Sequence, residues 1–548
     1  MNKLKHEQSK TMPHANKIGI AKWFSLTIIL LAQLGTMGDN SGLTVATAAL
    51  IQDLGASVSD IALANAMYPL IAGACMIAGG MLGLITGWTK LFQIGTILLI
   101  AAEIVAASTN NIQIFIFVAR VLSGLGGSLL VPAVLGLITG IYHGRDRALA
   151  FGAVAAILGF ANTAAPLVFG YVIDVFNYQS AFYCLAGYFV LVFLLSFFID
   201  KVEKPKTKIK FDFIGALLVS LGLLAFIIGL VKITDWGFIK PITSKMVIFG
   251  ISPALPLVLG GIVLLVIFFK WEKQFEEKNG ACLMPQSFVT TAQLRDGLYM
   301  CGFTFVLFGS YALIGITYLQ LVAGYTAFDT AKVLVLFSIG MIVASMGTPI
   351  KLSHISCRKL CVSGILISFI AALCGAWGTE LTGINSLFYL ATLLIGLGAG
   401  VIASQASLIV TTAVNLQDAT QSSGVQATSR NVGQTIGIAL LGTTMMFSLT
   451  GGVQSKTESH PDLSLETKQQ VSQITSIPFL SDADFTSLIS QKVEKTNDVQ
   501  ILVAINREGR RNSVRFAWYL LAFICLCSAY ILTRNIPNYS LSDKNPSE

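Results

Sequence analysis

Apolar blocks of membrane-spanning length recur along almost the whole of this 548-residue chain, and nothing else in it constrains the fold as strongly. Trp23 to Leu34 is one, continuing through small residues to Ala49; others are Ile94 to Ala107, Cys184 to Ile199, Leu257 to Phe269 and Phe516 to Leu532. A bilayer core of about 30 Å takes about 20 apolar residues of helix. Helices satisfy their own backbone polar groups where there is no water to do so. Barrel strands would show short alternating segments instead, and the sequence has none. Charged residues make up 12% of the chain, about half the usual share of a soluble domain, and mean hydropathy is +0.74. The expected fold class is an all-α membrane protein.

Counting blocks predicts about fourteen spans, centred near Ile29, Cys75, Leu99, Leu125, Leu158, Phe189, Leu221, Leu259, Leu307, Ile339, Ile367, Leu394, Ala439 and Phe523. The N-terminal stretch is polar and basic and runs into the first block without a cleavage site, so that block reads as an uncleaved helix. Lys3, Lys5, Lys10, Lys17 and Lys22 precede it. Lys201, Lys204, Lys206, Lys208 and Lys210 follow span six, and Lys351, Arg358 and Lys359 follow span ten. The connections near Asp53, Asn110, Asp174 and Glu380 lack Lys and Arg. By the positive-inside rule both termini are expected in the cytoplasm, with the chain in the cell inner membrane. Arg507, Arg510, Arg511 and Arg515 run against that rule, at the end of a segment that should lie outside; long loops translocate largely regardless of charge. The middle of that segment, Leu463 to Lys495, reads either as short helices on the outer face or as a partly ordered loop.

The expected organisation is a cytoplasmic N-terminal tail (1–22), an N-terminal six-helix bundle (23–200), and a basic linker with two extra transmembrane helices and a cytoplasmic connection (201–296). A C-terminal six-helix bundle (297–534) with a long outer loop (451–512) and a cytoplasmic tail (535–548) complete it. Paired halves of this kind are the arrangement of secondary transporters. The nine cysteines sit mostly in apolar blocks without metal-ligand spacing and read as small buried hydrophobes. The net charge of +8 reads as cytoplasmic anchoring, not as a nucleic-acid surface.

Three charged residues stand inside predicted spans: Asp39, Glu103 and Arg120. Charge at that depth costs about 2.5–3.5 kcal/mol on insertion scales and marks function by default. Arg120 keeps its charge at any useful pH, whereas the carboxylates can take up a proton. A carboxylate beside a fixed cation suits proton coupling; the alternatives are a static ion pair, and for Glu103 a pairing with Arg120 or an outer-interface position. Gly79, Gly83 and Gly87 recur on one helix face, and Gly124, Gly126 and Gly127 follow Arg120; such residues let helices approach closely. Pro132 and Pro166 fall inside spans and are expected to kink or open them.

These residues occur in an order that resembles the major facilitator superfamily, in its fourteen-helix drug:proton antiporter branch. The resemblance rests on Asp39 with Asp53-Leu54-Gly55, on Tyr68 and Gly80, and on Arg120-Val-Leu-Ser-Gly124-Leu-Gly126-Gly127, in which Ser123 replaces the usual Gln. It continues through Gly152, Gly159, Pro166 and Gly170, with Ala165 and Phe169 in place of glycines, then Asp212-Phe-Ile-Gly215, Trp236, Tyr318-Leu319-Gln320 and Gly324. The most specific stretch runs from Ser423-Gly424 through Arg430-Asn431-Val432-Gly433 to Gly437-Ile438-Ala439. The loop after span two departs from the pattern: Gly80, Gly87 and Lys90 remain, but Leu84 and Ile85 replace the charged pair that latches this side. Apolar packing is the expected substitute.

The resemblance implies a major-facilitator fold of two pseudo-symmetric six-helix bundles plus two helices, and a proton-coupled antiporter that exports small amphipathic drugs or metabolites. Asp39, Arg120 and Glu103 would couple protons. Asn40, Tyr68, Asn162, Gln320, Asn431 and Gln434 would contact cargo, each with interhelical glue as its alternative. Gly80, Gly87, Gly124, Gly159, Pro166 and Gly170 would serve conformational motifs. Arg430 is expected near the cytoplasmic end of span thirteen, read as Val425 to Leu449, in a capping or lipid contact. Protons, a small-molecule substrate and the bilayer are the implied partners of a monomer, with a periplasmic adaptor as the one protein partner considered. No cofactor, metal or nucleic acid is implied. Export of an endogenous product such as a siderophore or lipid-like metabolite is the alternative transport reading; nutrient uptake and a scaffold or sensor are further ones. An enzyme is disfavoured because His6, His14, His143, His354 and His460 all fall in tails or connections, and ATP drive because no Walker-type loop is present.

Overall fold

The computed structural model describes residues 18–43, 46, 50, 53–54, 58–200, 202, 210–239, 241, 250–279, 282–413, 416–474, 477, 479–490, 493 and 496–535. Most of both tails lies outside these residues, as do Gly55, Lys201, Lys204, Lys206 and Lys208, on which part of the topology expectation rested. Fourteen long helices account for nearly everything described. They are α1 (Ile18–Gly42), α2 (Val58–Thr86), α3 (Trp88–Ser108), α4 (Ile112–Ile141), α5 (Gly144–Val175), α6 (Tyr178–Leu195) and α7 (Phe213–Val231). There follow α8 (Ala254–Asn279), α9 (Ala292–Val322), α10 (Ala327–Lys351), α11 (Cys357–Gly378), α12 (Ser386–Thr412), α13 (Leu416–Ser459) and α14 (Thr496–Asn535). Each expected centre falls in one of them. Thirteen of the helices, α2 to α14, are long and apolar enough to cross a membrane, and α1 packs with α4, α5 and α6 as their companion. The chain is a multi-pass membrane protein.

The end at which α1 begins is called the base and the opposite end the tip. Helices α1–α6 form one bundle and α9–α14 the other. They meet where α2 and α4 pack on α13 and where α5 packs on α10 and α12. Small residues set these crossings. A Cβ on Gly424 of α13 would lie 2.6 Å from the Met76 carbonyl oxygen and 3.0 Å from the Gly80 Cα of α2. One on Gly152 of α5 would lie 2.5 Å from the Ser345 carbonyl oxygen of α10. Midway along the same pair, Ser338 donates to the Gly159 carbonyl at 2.6 Å and its hydroxyl meets that of Thr163 at 2.6 Å. These close approaches run from the base to the middle. Pro132 and Pro166 both lie inside continuous helices.

Helices α7 and α8 separate the bundles in sequence but not in space. They pair with each other, α7 packs on the outside of α2 and α13, and Phe268 of α8 joins a cluster with Ile77 and Met81 of α2. Asp212 ties them: its carboxylate accepts from the Gly215 N–H at 2.8 Å, capping α7, and from the Trp271 indole of α8 at 2.8 Å. A Cβ on Gly215 would fall 2.4 Å from oxygens of both Asp212 and Glu272, so glycine is required there.

The α2–α3 turn shows what replaces the missing charge latch. Gly87 joins the two helices at φ 97°, a conformation that suits glycine. The Trp88 ring then fills the space left by Gly83 and Gly136, where Cβ atoms would lie 2.2 and 2.5 Å from it. Leu84 is buried, and Ile85 packs on a cluster that includes Ile77, Met81 and Ala216. This corner is closed by apolar contact.

Residues 451–512 are not one long loop. Helix α13 continues to Ser459 and α14 already begins at Thr496, so two long helices project past the bundle and carry two short ones, Leu465–Ser472 and Asp482–Ser490. Val453, Val471, Phe485, Ile489 and Leu502 bury one another in a core separate from that of the bundles. Two of the four arginines that oppose the expected charge rule are used here as donors to helix ends. Arg515 donates to the Ala376 and Thr379 carbonyls at 3.0 and 2.9 Å, at the end of α11. Arg510 donates to the Leu321 carbonyl at the end of α9, to the Leu480 carbonyl, and to Asp482. Last-turn carbonyls lack intrahelical donors and carry the negative end of the dipole, which favours Arg510 and Arg515 there; Arg507 and Arg511 lie beside Asp482 and Glu508 instead. Replacing Arg510 by Met is expected to loosen the tip by about 2 kcal/mol. That is less than the ~3–5 kcal/mol of a fully buried pair, because Asp482 is half exposed. Hydrogen exchange should rise over 479–490 with the spans unaffected; unchanged exchange would show that the short helices are held by apolar packing alone.

Candidate functional site

Four helices bring their polar residues to one point inside the first bundle. Asp39 comes from the last turns of α1, Tyr68 from α2, Glu103 from α3 and Arg120 from α4. All four are buried, with Asp39 at 0% and Arg120 and Glu103 at 1% exposure. Helix α4 can come this close because its contact face is glycine: a Cβ on Gly127 would lie 2.6 Å from the Tyr68 hydroxyl, one on Gly124 2.7 Å from Ile71, and one on Gly126 2.8 Å from Leu99 of α3. A π-helical turn over Phe115–Arg120 ends on the arginine itself. Such turns occur often at functional sites, and this one sets the direction in which Arg120 leaves the helix.

Arg120 donates to Asp39 in an ion pair shielded from solvent. The same nitrogen lies 3.3 Å from the Ser123 hydroxyl, and the guanidinium carbon stands 5.6 Å from the Tyr68 ring centroid. Glu103 does not pair with Arg120, as one expectation had it. It lies against the Asp39 carboxyl, within reach of a hydrogen bond when one of the two carries a proton, and no other described group donates to its oxygens. Nε and Nη2 of Arg120 are without partners among the described residues. Two carboxylates thus share one cation, and the cluster has hydrogen-bonding capacity left over.

Tyr68 is also part of the wall of a pocket between the bundles. That pocket has a volume of about 30 Å³ and is lined by Gln33, Met37, Asn40, Tyr68, Pro69, Met76, Val131, Leu158, Phe305, Ala427, Arg430, Asn431 and Gln434. The space suits a water molecule and not a drug-sized molecule, so occupancy by anything larger requires the bundles to separate here. Of the expected cargo contacts, Asn40, Tyr68, Asn431 and Gln434 meet in this wall. Asn162, on α5, and Gln320 are not among the lining residues. Gln320 lies instead in a second π-helical turn, Tyr318–Val322, at the tip end of α9. The expected conformational residues lie along the helices around the pocket: Gly80 at the α2–α13 crossing, Gly124 against α2, Gly159 against Met341, Pro166 and Gly170 further along α5, and Gly87 at the base.

Arg430 departs most from expectation. It does not cap the end of α13 but lies about 20 Å along it, counting 1.5 Å per residue from Leu416, and lines the pocket. The sequence reading starts span thirteen at Val425, which leaves Arg430 near its end. In the structure Ser422, Ser423, Gln426 and Thr428 are buried between the bundles, so the helix begins earlier than its apolar part and the arginine lies deeper. Phe305 and Ser407, which hold Arg430, carry no signal in a single sequence.

Comparison with known proteins agrees with this architecture. A probable actinorhodin transporter of Streptomyces coelicolor is 27% identical over 437 residues, 78% of this chain and 73% of the relative. The tetracenomycin C resistance and export protein of Streptomyces glaucescens is 25% identical, over 82% of this chain and 80% of the relative. The multidrug transporter protein MdtP of Bacillus subtilis is 23% identical, over 77% and 74%. Among solved structures, the proton:xylose symporter XylE superposes with a TM-score of 0.56 at 11% identity, covering 95% of this chain and 97% of that one. The human organic anion transporter MFSD10 superposes at 0.54 and 11% identity, covering 77% and 93%. The sequence model of the Major Facilitator Superfamily matches residues 29–438, and with the two facing bundles already described, the chain belongs to that superfamily and is a membrane transporter, not an enzyme.

Proposed function

We propose that this transporter is a proton-coupled antiporter that exports small amphipathic organic compounds, with both termini in the cytoplasm and the tip helices outside. The observation that carries the reading is the Asp39–Arg120 ion pair with Glu103 beside it, directly behind the pocket wall. Charge counting gives the cluster one exchangeable proton: two carboxylates face a single guanidinium that never discharges. A proton on Asp39 weakens its hold on Arg120, frees the guanidinium to shift against Tyr68, and so links protonation to the wall of the cargo pocket. Asn40, Tyr68, Asn431 and Gln434 contact cargo when the bundles part. The name of one relative, a tetracenomycin C resistance and export protein, supports the direction of transport, and the actinorhodin and multidrug transporters support an organic cargo.

The test places the purified chain in liposomes that enclose a pH-sensitive dye under an imposed proton gradient, and adds lipophilic anions, neutral drugs, zwitterions and cations in turn. Cargo-dependent proton flux is the expected result. Flux with none of them, alongside direct cargo uptake driven by another ion, would remove proton coupling. Export of an endogenous product is a second reading, favoured by the actinorhodin and tetracenomycin C relatives. It predicts that a compound extracted from the producing cells drives flux at lower concentration than any member of the panel.

A further inference from the structure

We infer that the exported compound carries an acidic group and that Arg430 is its receptor, so that the cargo class is an amphipathic organic anion. The inference rests on the export reading and narrows it. Three other arginines, all buried, each meet a carboxylate or helix-end carbonyls. Arg120 has Asp39. Arg147 donates to the Tyr142 and Thr139 carbonyls at 2.8 and 2.9 Å, closing the base end of α4. Arg510 has two carbonyls and Asp482. Arg430, half-buried, has the Ser407 hydroxyl at 2.9 Å, the Cys301 thiol beside it in the pocket lining, and the Phe305 ring, whose centroid lies 5.6 Å from the guanidinium carbon. Among the described residues no carboxylate pairs with it. A guanidinium keeps its charge, and a charge taken out of water is costly unless an opposite charge meets it.

Its position says where that opposite charge comes from. Arg430, Phe305 and Leu158 are shared by two adjoining pockets between the bundles, one reaching toward Tyr68 and Asn40, the other lined by Phe151, Val154 and Ala406. The guanidinium therefore faces the space that opens when α5 parts from α9, α12 and α13. Asp39, the carboxylate closest to this wall in sequence, is already engaged by Arg120, and Glu103 on α3 is not among the lining residues. The planar fork of Arg matches a carboxylate in two parallel hydrogen bonds. Phe305 beside it offers an aromatic face, and the remaining wall is apolar with a few amides, as suits an amphipath. A cationic cargo would meet an unneutralised positive charge, which disfavours it as firmly as an anion is favoured.

The experiment uses the full chain in nanodiscs and three fluorescent probes of one shape: 2-anthracenecarboxylate, its methyl ester, and the (anthracen-2-ylmethyl)trimethylammonium cation. Binding at pH 7.5 is followed by anisotropy. The carboxylate is expected to bind at least about tenfold more tightly than the ester, the return for a charge-assisted hydrogen bond, and the cation to bind more weakly than either. Arg430→Gln should erase the acid–ester difference and leave the ester within about threefold of its original affinity, whereas Arg430→Lys should restore part of the preference. Equal binding of acid and ester, or preference for the cation, overturns the inference. So does an Arg430→Gln variant that loses acid and ester alike, since Arg430 would then be a packing residue, and so does failure of all three probes to bind. Proton flux driven by cargo without acid preference would remove this inference and leave antiport standing; acid-selective binding without any proton flux would do the reverse.

Discussion

Asp39→Asn is expected to reduce cargo-driven proton flux by at least about 100-fold, in liposomes reporting internal pH, while cargo binding changes by less than about threefold. Asparagine keeps the shape and one acceptor but cannot exchange a proton, and it leaves Arg120 without its only ion-pair partner among the described residues. Breaking a buried pair from one side destabilises the fold, so flux is read per amount of folded protein. Two companion variants separate coupling from structure. Glu103→Gln keeps the shape and the contact with Asp39 but removes an ionisable group, so it should spare the fold and lower flux by a smaller factor, about three to tenfold. Arg120→Gln leaves two carboxylates without a counter-charge and should lower the amount of folded protein as well as its flux. If Asp39→Asn transports protons at the wild-type rate, the pair is a static tie between α1 and α4, and coupling resides elsewhere. If Glu103→Gln proves the more damaging, the exchangeable proton belongs to α3.

How much of this was readable without coordinates depended on what each residue was doing. Helix number and order were legible because a bilayer demands long apolar segments and each one announces itself. Asp39, Glu103 and Arg120 were legible for the opposite reason: charge is so rare in such segments that each instance stands out. Their pairing was not, because spacing along four different helices says nothing about which carboxylate the guanidinium faces. Arg430 was misplaced because the first turns of α13 are polar and bury their hydroxyls and amides against the other bundle, so that hydropathy finds the helix late. Arg510 and Arg515 run against the orientation expected from the charge pattern, and their use is visible only in three dimensions, as donors to carbonyls of α9 and α11. Sequence reasoning therefore performed well where the solvent imposes the pattern and poorly where one helix meets another.

The closed seam at the base offers the other large effect. Valine at Gly424 is expected to hold the base open and stop transport, with the fold retained. The added Cβ would lie 2.6 Å from the Met76 carbonyl oxygen and 3.0 Å from the Gly80 Cα, and both are backbone atoms, which no rotamer change can move aside. Overpacking of this kind costs about 1–3 kcal/mol. Because α2 and α13 belong to different bundles, that cost falls on the closed arrangement and not on either bundle by itself, and ~3 kcal/mol shifts a two-state equilibrium by roughly 100-fold. A cysteine in place of Ser345, whose side chain is fully buried at the neighbouring α5–α10 seam, serves as reporter when labelled with maleimide and read by peptide mass spectrometry. Its labelling should rise by at least about tenfold in the Gly424→Val background. The native Cys282 supplies the control. It lies between α8 and α9, is fully buried, and burial holds its thiol well above the usual range, so the reactive thiolate stays scarce at pH 8 and labels only if the protein unfolds. A rise at position 345 with Cys282 still protected means that the bundles have parted. Equal rises at both mean that valine has disrupted the fold, and no rise at either means that the α2–α13 crossing does not govern closure.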